Sequence, residues 1–178
     1  MDPYKIIDKY YADGPLRNIL LIHSELVRAK AIEAAKKSGC KFDEEFIING
    51  AMLHDIGIFL CDAPEIECFG NLPYICHGME GGKILRKEGW PELARFCERH
   101  TGAGLTAENI VSQGLPLPHT DFLPETIEEK AVCYADKFYS KSGDITKEKS
   151  LEKVIASMSR HGEDSLSRFM EMHRLFNP

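Results

Sequence analysis

Apolar residues recur at steps of three and four along most of the chain, which is the spacing of one face of an α-helix. The longest such run predicts a helix from Pro15 to about Ser38, with Gly39 as a stop signal after it. The periodic positions of this run are Leu16, Ile19, Leu20, His23, Leu26, Val27, Ala31 and Ala34. The alternation that is typical of strands is absent over any useful length, so the pattern predicts an all-α fold.

Capping and helix-breaking residues predict the bounds of the other helices. Asp43 is a good N-cap, and the acidic residues Glu44 and Glu45 suit the first turn of a helix that runs to about Gly57. Turn-forming residues are concentrated in two segments that we predict to be loops: 59–74 and 112–124. The remaining predicted helices are 78–88, 91–99, 124–138 and two in the tail that Gly162 divides.

The chain is long enough for one domain with a sizeable core. It has 178 residues, of which 43% are hydrophobic and 28% are charged, and a domain of this length buries roughly 70% of its unfolded surface. We therefore predict a single compact all-α domain over residues 1–178, with about seven or eight helices. Its core covers about 15–140, and a C-terminal helical extension covers 144–178.

The net charge of the chain argues against nucleic acid as a general partner. The 22 basic residues against 28 acidic ones leave −6, whereas a general nucleic-acid binder needs a basic face. A small anionic ligand held by a local positive charge stays compatible with this balance. No window approaches the ~20 apolar residues that span a bilayer, and the first residues lack the basic end and apolar run of a signal peptide. The sequence predicts a soluble, cytoplasmic protein with no membrane partner, whose six Cys are reduced thiols.

The adjacent residues His54 and Asp55 are the first candidates for chemistry. They lie in the segment NGAMLHDIGIF, which is apolar nearly all round. A buried carboxylate is costly there unless it is paired or coordinates a cation. A His near a helix end, paired with the neighbouring Asp, is an ordinary structural explanation that the pair alone leaves open. His23 lies on the apolar stripe of the longest predicted helix, where a single His is by itself more often a plain core residue than a ligand.

Three further polar residues lie on helices or helix ends among apolar neighbours: His77, His100 and Asp136. Each also has an ordinary explanation, as a cap, as a partner of a helix dipole, or as an ion-pair partner of Lys137 or Lys141. Together with the three residues above they make a set of four His and two Asp, which suits one divalent first-row metal ion or two bridged by a carboxylate. The candidate ions are Fe, Mn, Co, Ni or Zn, and the sequence leaves their identity and number open.

The order of these six residues resembles the HD-domain superfamily of metal-dependent phosphohydrolases. The segment LHDIG is similar to the HDIG signature of that family, and the resemblance extends over about 19–140. The segments RHTGAG and EEKAVCYADKF also resemble a branch that holds small archaeal HDIG proteins and bacterial HD-type dinucleoside-tetraphosphate hydrolases. The resemblance implies that the predicted helices form an HD-domain bundle.

The resemblance further implies a ligand set and a reaction. It places a first metal ion on His23, His54, Asp55 and Asp136. It places a second ion on His77 and His100, with Asp55 as the bridge. The implied reaction is hydrolysis of a nucleotide or other small phosphate ester by a metal-activated hydroxide at a mono- or dinuclear site, with His54 and Asp55 as catalytic residues. Two dications over two carboxylates would give this acidic protein a positive pocket.

One position departs from the family pattern. Some HD enzymes carry a basic residue soon after the HD pair, whereas residues 56–60 are all apolar or Gly here. We take Lys137 as the candidate for that phosphate contact, and so as a third catalytic residue, because it adjoins Asp136. Lys83 and Arg99 are expected to be solvated charges.

Two other classes of function stay open. The same resemblance includes HD-domain proteins that hold two irons in such a ligand set and use O₂ to oxidise a small molecule. A third class is a non-catalytic module that binds metal or nucleotide and regulates a partner. The tail helices also offer a surface for a homo-oligomer, which the sequence neither requires nor excludes.

Overall fold

The computed structural model describes all 178 residues, and nearly all of its regular structure is helical. The nine α-helices are α1 (Pro3–Tyr10), α2 (Pro15–Lys37), α3 (Glu44–Leu53), α4 (His77–Lys87), α5 (Pro91–Arg99), α6 (Ala107–Ser112), α7 (Ile127–Asp136), α8 (Leu151–Ser159) and α9 (Glu163–Phe176). Three single turns of 3₁₀-helix lie at Ile58–Leu60, Pro64–Ile66 and Tyr74–Cys76. Two short antiparallel strands, β1 (Asp62–Ala63) and β2 (Cys68–Phe69), pair with Asp62 opposite Phe69. The predicted all-α fold is confirmed.

Local sequence explains where the helices begin. The Asp43 side chain accepts a hydrogen bond from the backbone N–H of Phe46, as expected for an N-cap. Thr126 and Glu129 form a capping box, and for that reason α7 starts at Ile127 rather than at the predicted 124. The pattern misses α1 and α6, which are too short to show a clear period although both have side-chain caps.

Three helices form the centre of the molecule. Helices α2, α3 and α7 pack on one another, and α5 packs against both α3 and α7. Fully buried residues of these helices include Leu20, Val27, Ile47, Met52, Ala131 and Val132. Helix α4 lies along α5 at the side of this group. The core therefore surrounds the ends of α3, α5 and α7.

Two glycines allow the backbone around α4 to approach its neighbours closely. A Cβ atom on Gly57 would lie 2.4 Å from the carbonyl oxygen of His77, and one on Gly78 would lie 2.4 Å from that of Cys97. Such distances are far inside van der Waals contact, so only glycine fits at either position. The close approach holds the start of α4 against the turn that follows α3.

The C-terminal helix packs onto the core. Phe169 and Phe176 of α9 are fully buried, and their ring centroids lie 5.5 and 5.3 Å from that of Tyr134 on α7. These contacts hold α9 against α7, and α9 also contacts α2. None of the nine helices combines the length and the apolar character that crossing a membrane requires.

Candidate metal centre

Six polar side chains from five parts of the fold meet inside the bundle. They are the six candidates from the sequence: His23, His54, Asp55, His77, His100 and Asp136. They form two overlapping groups, and within each group one ligand atom from every residue lies within 4.8 Å of those of the others. The structure thus brings together every residue that the sequence pattern singled out as a metal ligand.

Most of these residues lie at helix ends. His54 and Asp55 directly follow α3, which ends at Leu53, earlier than the predicted 57. His100 follows α5, and Asp136 is the last residue of α7. At such positions the backbone turns away from the helix axis, which lets side chains from several helices point at one centre.

The first group contains His23, His54, Asp55 and Asp136. The His23 Nε2 atom lies 2.9 Å from Oδ1 of Asp136 and 3.4 Å from Oδ2 of Asp55. The His54 Nε2 atom lies 3.5 and 3.2 Å from the same two oxygens. Two imidazoles therefore face two carboxylates across one small space.

The second group contains Asp55, His77 and His100. The Nε2 atoms of the two imidazoles are 3.0 Å apart. They lie 3.4 and 3.3 Å from Oδ1 of Asp55. Asp55 therefore turns Oδ2 to the first group and Oδ1 to the second, so it would suit the role of a ligand shared by two ions.

Backbone carbonyls orient three of the four imidazoles. The Nδ1–H groups of His54 and His77 donate to the carbonyls of Ala51 and Tyr74, both at 2.6 Å. His100 donates in the same way to Phe96 at 3.0 Å. With Nδ1 protonated, a neutral imidazole presents the lone pair of Nε2 to the centre, which is the usual arrangement of a metal-binding His.

Unsatisfied polar atoms show that this set of donors fits a cation. The Nε2 atom of His54 and Oδ1 of Asp55 are buried without a hydrogen-bond partner. Oδ2 of Asp55 is also buried without a well-formed hydrogen bond, although the Nζ atom of Lys141 forms an ion pair with it. Buried polar atoms without partners are costly and rare in proteins. Imidazole nitrogens and carboxylate oxygens are also the donors that first-row divalent ions prefer. The residues present therefore fit one or two such ions.

Burial and nearby charges shift the pKa values of the four imidazoles in different directions. Burial lowers the pKa of His23 to about 4 and that of His77 to about 3, and it lowers the pKa of His100 as well. His54 is equally buried, but the negative charges of Asp55 and Asp136 outweigh burial and raise its pKa to about 9. Three imidazoles are therefore neutral at pH 7, whereas His54 gives up a proton when it binds a metal.

Both carboxyl groups are charged despite their burial. Burial acts to raise the pKa of Asp55, but Lys141 and His54 hold it well below its usual range. The pKa of Asp136 is likewise well below its usual range, because Lys137 and Lys141 outweigh burial. The centre therefore offers two full negative charges to a cation.

Lys141 is a part of this centre that the sequence reasoning missed. Its Nζ atom lies 2.7 Å from Oδ2 of Asp55, and its side chain is only 14% exposed. The one sequence signal is its position five residues after Asp136, which predicts an ion pair with that residue and no contact with Asp55. It follows α7 in a polar segment that the fold turns back towards the centre.

The other lysine and arginine candidates occupy different surroundings. Lys137 donates to Oδ2 of Asp136 and to the carbonyl of His100, both at 2.7 Å. Lys83 forms an exposed ion pair with Glu80. Arg99 is mostly buried and donates to the carbonyl of Leu123 at 2.7 Å, so its guanidinium is held by the fold. Lys137 alone among the three adjoins the ligands.

Several known proteins are similar to this chain. A protein of Thermoplasma volcanium named tRNA (cytidine(56)-2'-O)-methyltransferase is 32% identical over 178 residues, which are 99% of this chain and 47% of that protein. One of Picrophilus torridus with the same name is 32% identical over 157 residues, 88% of this chain and 41% of that protein. An uncharacterised protein of Methanocaldococcus jannaschii is 41% identical over 104 residues, 58% of this chain and 54% of that protein.

The chain spans about half the length of the curated relatives it matches. No solved structure matches it at a significant level. The family model described as HD domain matches residues 20–141, which is well over half of the chain and includes all six residues of the centre. This chain belongs to the HD domain family.

Proposed function

We propose that this chain is a metal-dependent phosphohydrolase that acts on a nucleotide or another small phosphate ester. The observation that carries the proposal is the position of Asp55, whose two oxygens face two separate groups of imidazoles. A carboxylate placed in this way is suited to bridge two ions. Paired ions in protein sites commonly serve the hydrolysis of phosphate esters.

Six side chains of this chain would hold the ions. The first group would use His23, His54, Asp55 and Asp136, and the second His77, His100 and Asp55. Ions bound there would lower the pKa of a water molecule and offset the charge that develops on a phosphoryl group. The side chains bring two carboxylates, so two dications would leave the centre positive and attractive to a phosphate. Fe, Mn, Co, Ni and Zn all suit these donors.

The two lysines beside the centre would have different tasks. Two of the three N–H groups of Lys137 donate hydrogen bonds, one to Asp136 and one to the carbonyl of His100. We propose that the third contacts an oxygen of the substrate phosphate, while the first two fix the Asp136 carboxylate. Lys141 supplies a second positive charge at the same side, on Asp55.

Phosphate release in the absence of O₂ tests this function. The chain is freed of metal with a chelator, reloaded with each of the five candidate ions, and assayed anaerobically on p-nitrophenyl phosphate, nucleoside mono- and triphosphates and dinucleoside tetraphosphates. We expect at least one pair of ion and ester to release phosphate. His54→Ala should abolish this release, whereas His119→Ala, which changes an exposed imidazole of a loop, should leave it unchanged.

Two other outcomes would favour the alternative functions. Substrate loss that needs O₂ and yields no phosphate would favour a di-iron oxygenase. Full metal content with no turnover on the whole panel would favour a non-catalytic module that binds metal or nucleotide. Either result would overturn the hydrolase proposal.

The names of two relatives make tRNA methylation a second candidate for direct test. The segment that this chain matches is less than half of each of those proteins, and the buried centre is built of metal-binding side chains. We therefore expect no methyl transfer from S-adenosylmethionine to tRNA by this chain, and weak binding of tRNA in a gel-shift assay given its net charge of −6. Methylation of tRNA by the purified chain would make this second candidate the better one.

A further inference from the structure

A cavity of about 240 Å³ lies beside the second ligand group. Its wall includes Thr101, which directly follows His100, and Ile75, two residues before His77. The other side is formed by the glycine-containing loop after His100 and by helices α6 and α9. We call this space the α6–α9 pocket. None of its lining residues belongs to the six candidate ligands.

The wall of the α6–α9 pocket is held rigidly by Arg168. Its guanidinium donates to the carbonyls of Ala103 and Gly104 at 3.2 and 3.1 Å. It also donates to Asn109 at 3.2 Å and to the carboxylate of Asp164 at 3.0 Å. These bonds tie the loop, α6 and α9 together. They also occupy the guanidinium of Arg168 and pair its charge with Asp164, so this side chain is not free to bind an anion in the pocket.

Polar side chains without a hydrogen bond to the rest of the chain line the α6–α9 pocket. Ser165 of α9 is only 4% exposed, and its hydroxyl oxygen points to Gly102, 3.7 Å from where a Cβ of that residue would lie. No side chain or backbone group of the chain forms a hydrogen bond with this hydroxyl. The amide of Gln113 and the hydroxyl of Thr101 also line the pocket without partners in the chain. These groups are open to the pocket, so they can exchange hydrogen bonds with a ligand bound there.

Apolar residues complete the lining. Leu105, Leu115 and Ile75 contribute aliphatic surface opposite the polar groups. The volume is below the roughly 300–1,000 Å³ of pockets that take a drug-sized ligand. The pocket therefore suits a single uncharged ring system with apolar faces and a hydrogen-bonding edge. A nucleobase has these properties, and glutamine side chains bond well to base edges.

We propose that the α6–α9 pocket binds the nucleobase of the substrate. Thr101 directly follows His100, and Ile75 lies two residues before His77, so a base bound against them would lie beside the second ligand group. The phosphate of the same molecule would then reach the centre. This last step rests on the proposed phosphohydrolase function, whereas binding of the base by the pocket does not.

Binding of nucleosides to the metal-free chain tests the pocket separately from the reaction. Adenosine, guanosine, cytidine and uridine are titrated up to millimolar concentration into the chelator-treated chain, and amide resonances are followed by NMR. We expect saturable shifts for at least one nucleoside, concentrated at residues 101–105 and 165–168. Ser165→Ala, which removes only the hydroxyl, should weaken that binding by about tenfold, as the loss of one buried hydrogen bond does.

A larger substitution and its matched control sharpen the test. Ser165→Leu should fill the space and abolish nucleoside binding, whereas Ser167→Leu on the exposed face of the same helix should leave it unchanged. Metal content, measured in each variant, should stay as in the original chain. Absence of binding for all four nucleosides would overturn the pocket proposal, as would binding that survives Ser165→Ala and Ser165→Leu.

The two proposals fail in distinguishable ways. Nucleoside binding that depends on Ser165, in a chain that releases no phosphate from any ester, would support the pocket and refute the hydrolase. Phosphate release without nucleoside binding would support the hydrolase and refute the pocket. A hydrolase with this pocket should also show a raised KM for nucleotides in Ser165→Leu, whereas the KM of Ser167→Leu should stay as in the original chain.

Discussion

The two ligand groups of the centre are built from different parts of the fold. The first group joins the middle of α2 with the ends of α3 and α7, three helices that pack on one another at the core of the molecule. The second joins the start of α4 with the end of α5. Those two helices approach closely because glycines such as Gly78 line their contact. Only Asp55 belongs to both groups.

The groups also differ in charge. The first has two carboxylates and two imidazoles, whereas the second has two imidazoles and shares one carboxylate. Attraction between a dication and a carboxylate is strong where water is excluded. The first group should therefore bind its ion more tightly than the second. Lys141 opposes this difference, because its ammonium lies on Oδ2 of Asp55, the oxygen that faces the first group.

Removing the shared carboxylate should have the largest effect. In Asp55→Asn both groups lose their common charged ligand, so the affinity for each ion should fall by more than about 100-fold, the upper end of what the loss of a supporting partner costs a metal site. Phosphate release should fall below detection. Metal content per chain after dialysis, measured by mass spectrometry, checks the first point.

A matched variant separates this effect from a general change of charge. Asp62→Asn removes one negative charge from an exposed residue of β1, and it should keep its metal. If Asp55→Asn retained both ions, the assignment of Asp55 as the bridge would be wrong.

Substitution of one imidazole at a time should show which ligand group binds its ion more tightly. His77→Gln should lower the metal content from two ions to one, because His77 belongs only to the second group and the first group keeps all four of its ligands. His23→Gln should weaken the tighter ion by on the order of 10–100-fold. Isothermal titration with one candidate ion measures both. Loss of the tighter ion in His77→Gln would contradict the predicted order of the groups.

The sequence predicts the helices of the core better than the short ones. The period of α2 and the stop at Gly39 predict its bounds to within one residue, 15–38 against Pro15–Lys37. Helix α1 has only eight residues, and the cap at Asp2 that begins it was not enough to identify it without a longer periodic run. Length is the physical reason, since a period needs several turns to be visible.

The site shows the same limit of local sequence patterns, because they indicate its ligands but not the contact that Lys141 makes. His54 and Asp55 stand out because charged or polar groups amid apolar residues are costly, and that cost can be read from neighbours in the chain. Lys141 lies in the polar segment SKSGD, where a lysine has no such cost. Its contact with Asp55 arises from the way the chain turns after α7. Local patterns cannot report a contact that only the tertiary fold creates.

Lys141 gives the smallest predicted effect and the sharpest test of the difference between the groups. Its ammonium and an ion in the first group would compete for the same oxygen of Asp55. In Lys141→Met the first ion should therefore bind about tenfold more tightly, which corresponds to about 1.4 kcal/mol. The second ion, on Oδ1 of Asp55, should change less. Competition with a chromophoric chelator measures both affinities.

The metal-free form of Lys141→Met should show the opposite change. Without the ammonium, the two buried carboxylates of Asp55 and Asp136 lose a compensating charge, so the free energy of unfolding should fall by about 1–3 kcal/mol. Saturation with metal should remove this loss, since the ion supplies the missing charge. Lys147→Met, at an exposed position of the same connection between α7 and α8, should change neither quantity. If the first ion bound more weakly in Lys141→Met, Lys141 would support metal binding rather than compete with it. The number of carboxylates alone would then explain the difference in ion affinity between the two groups.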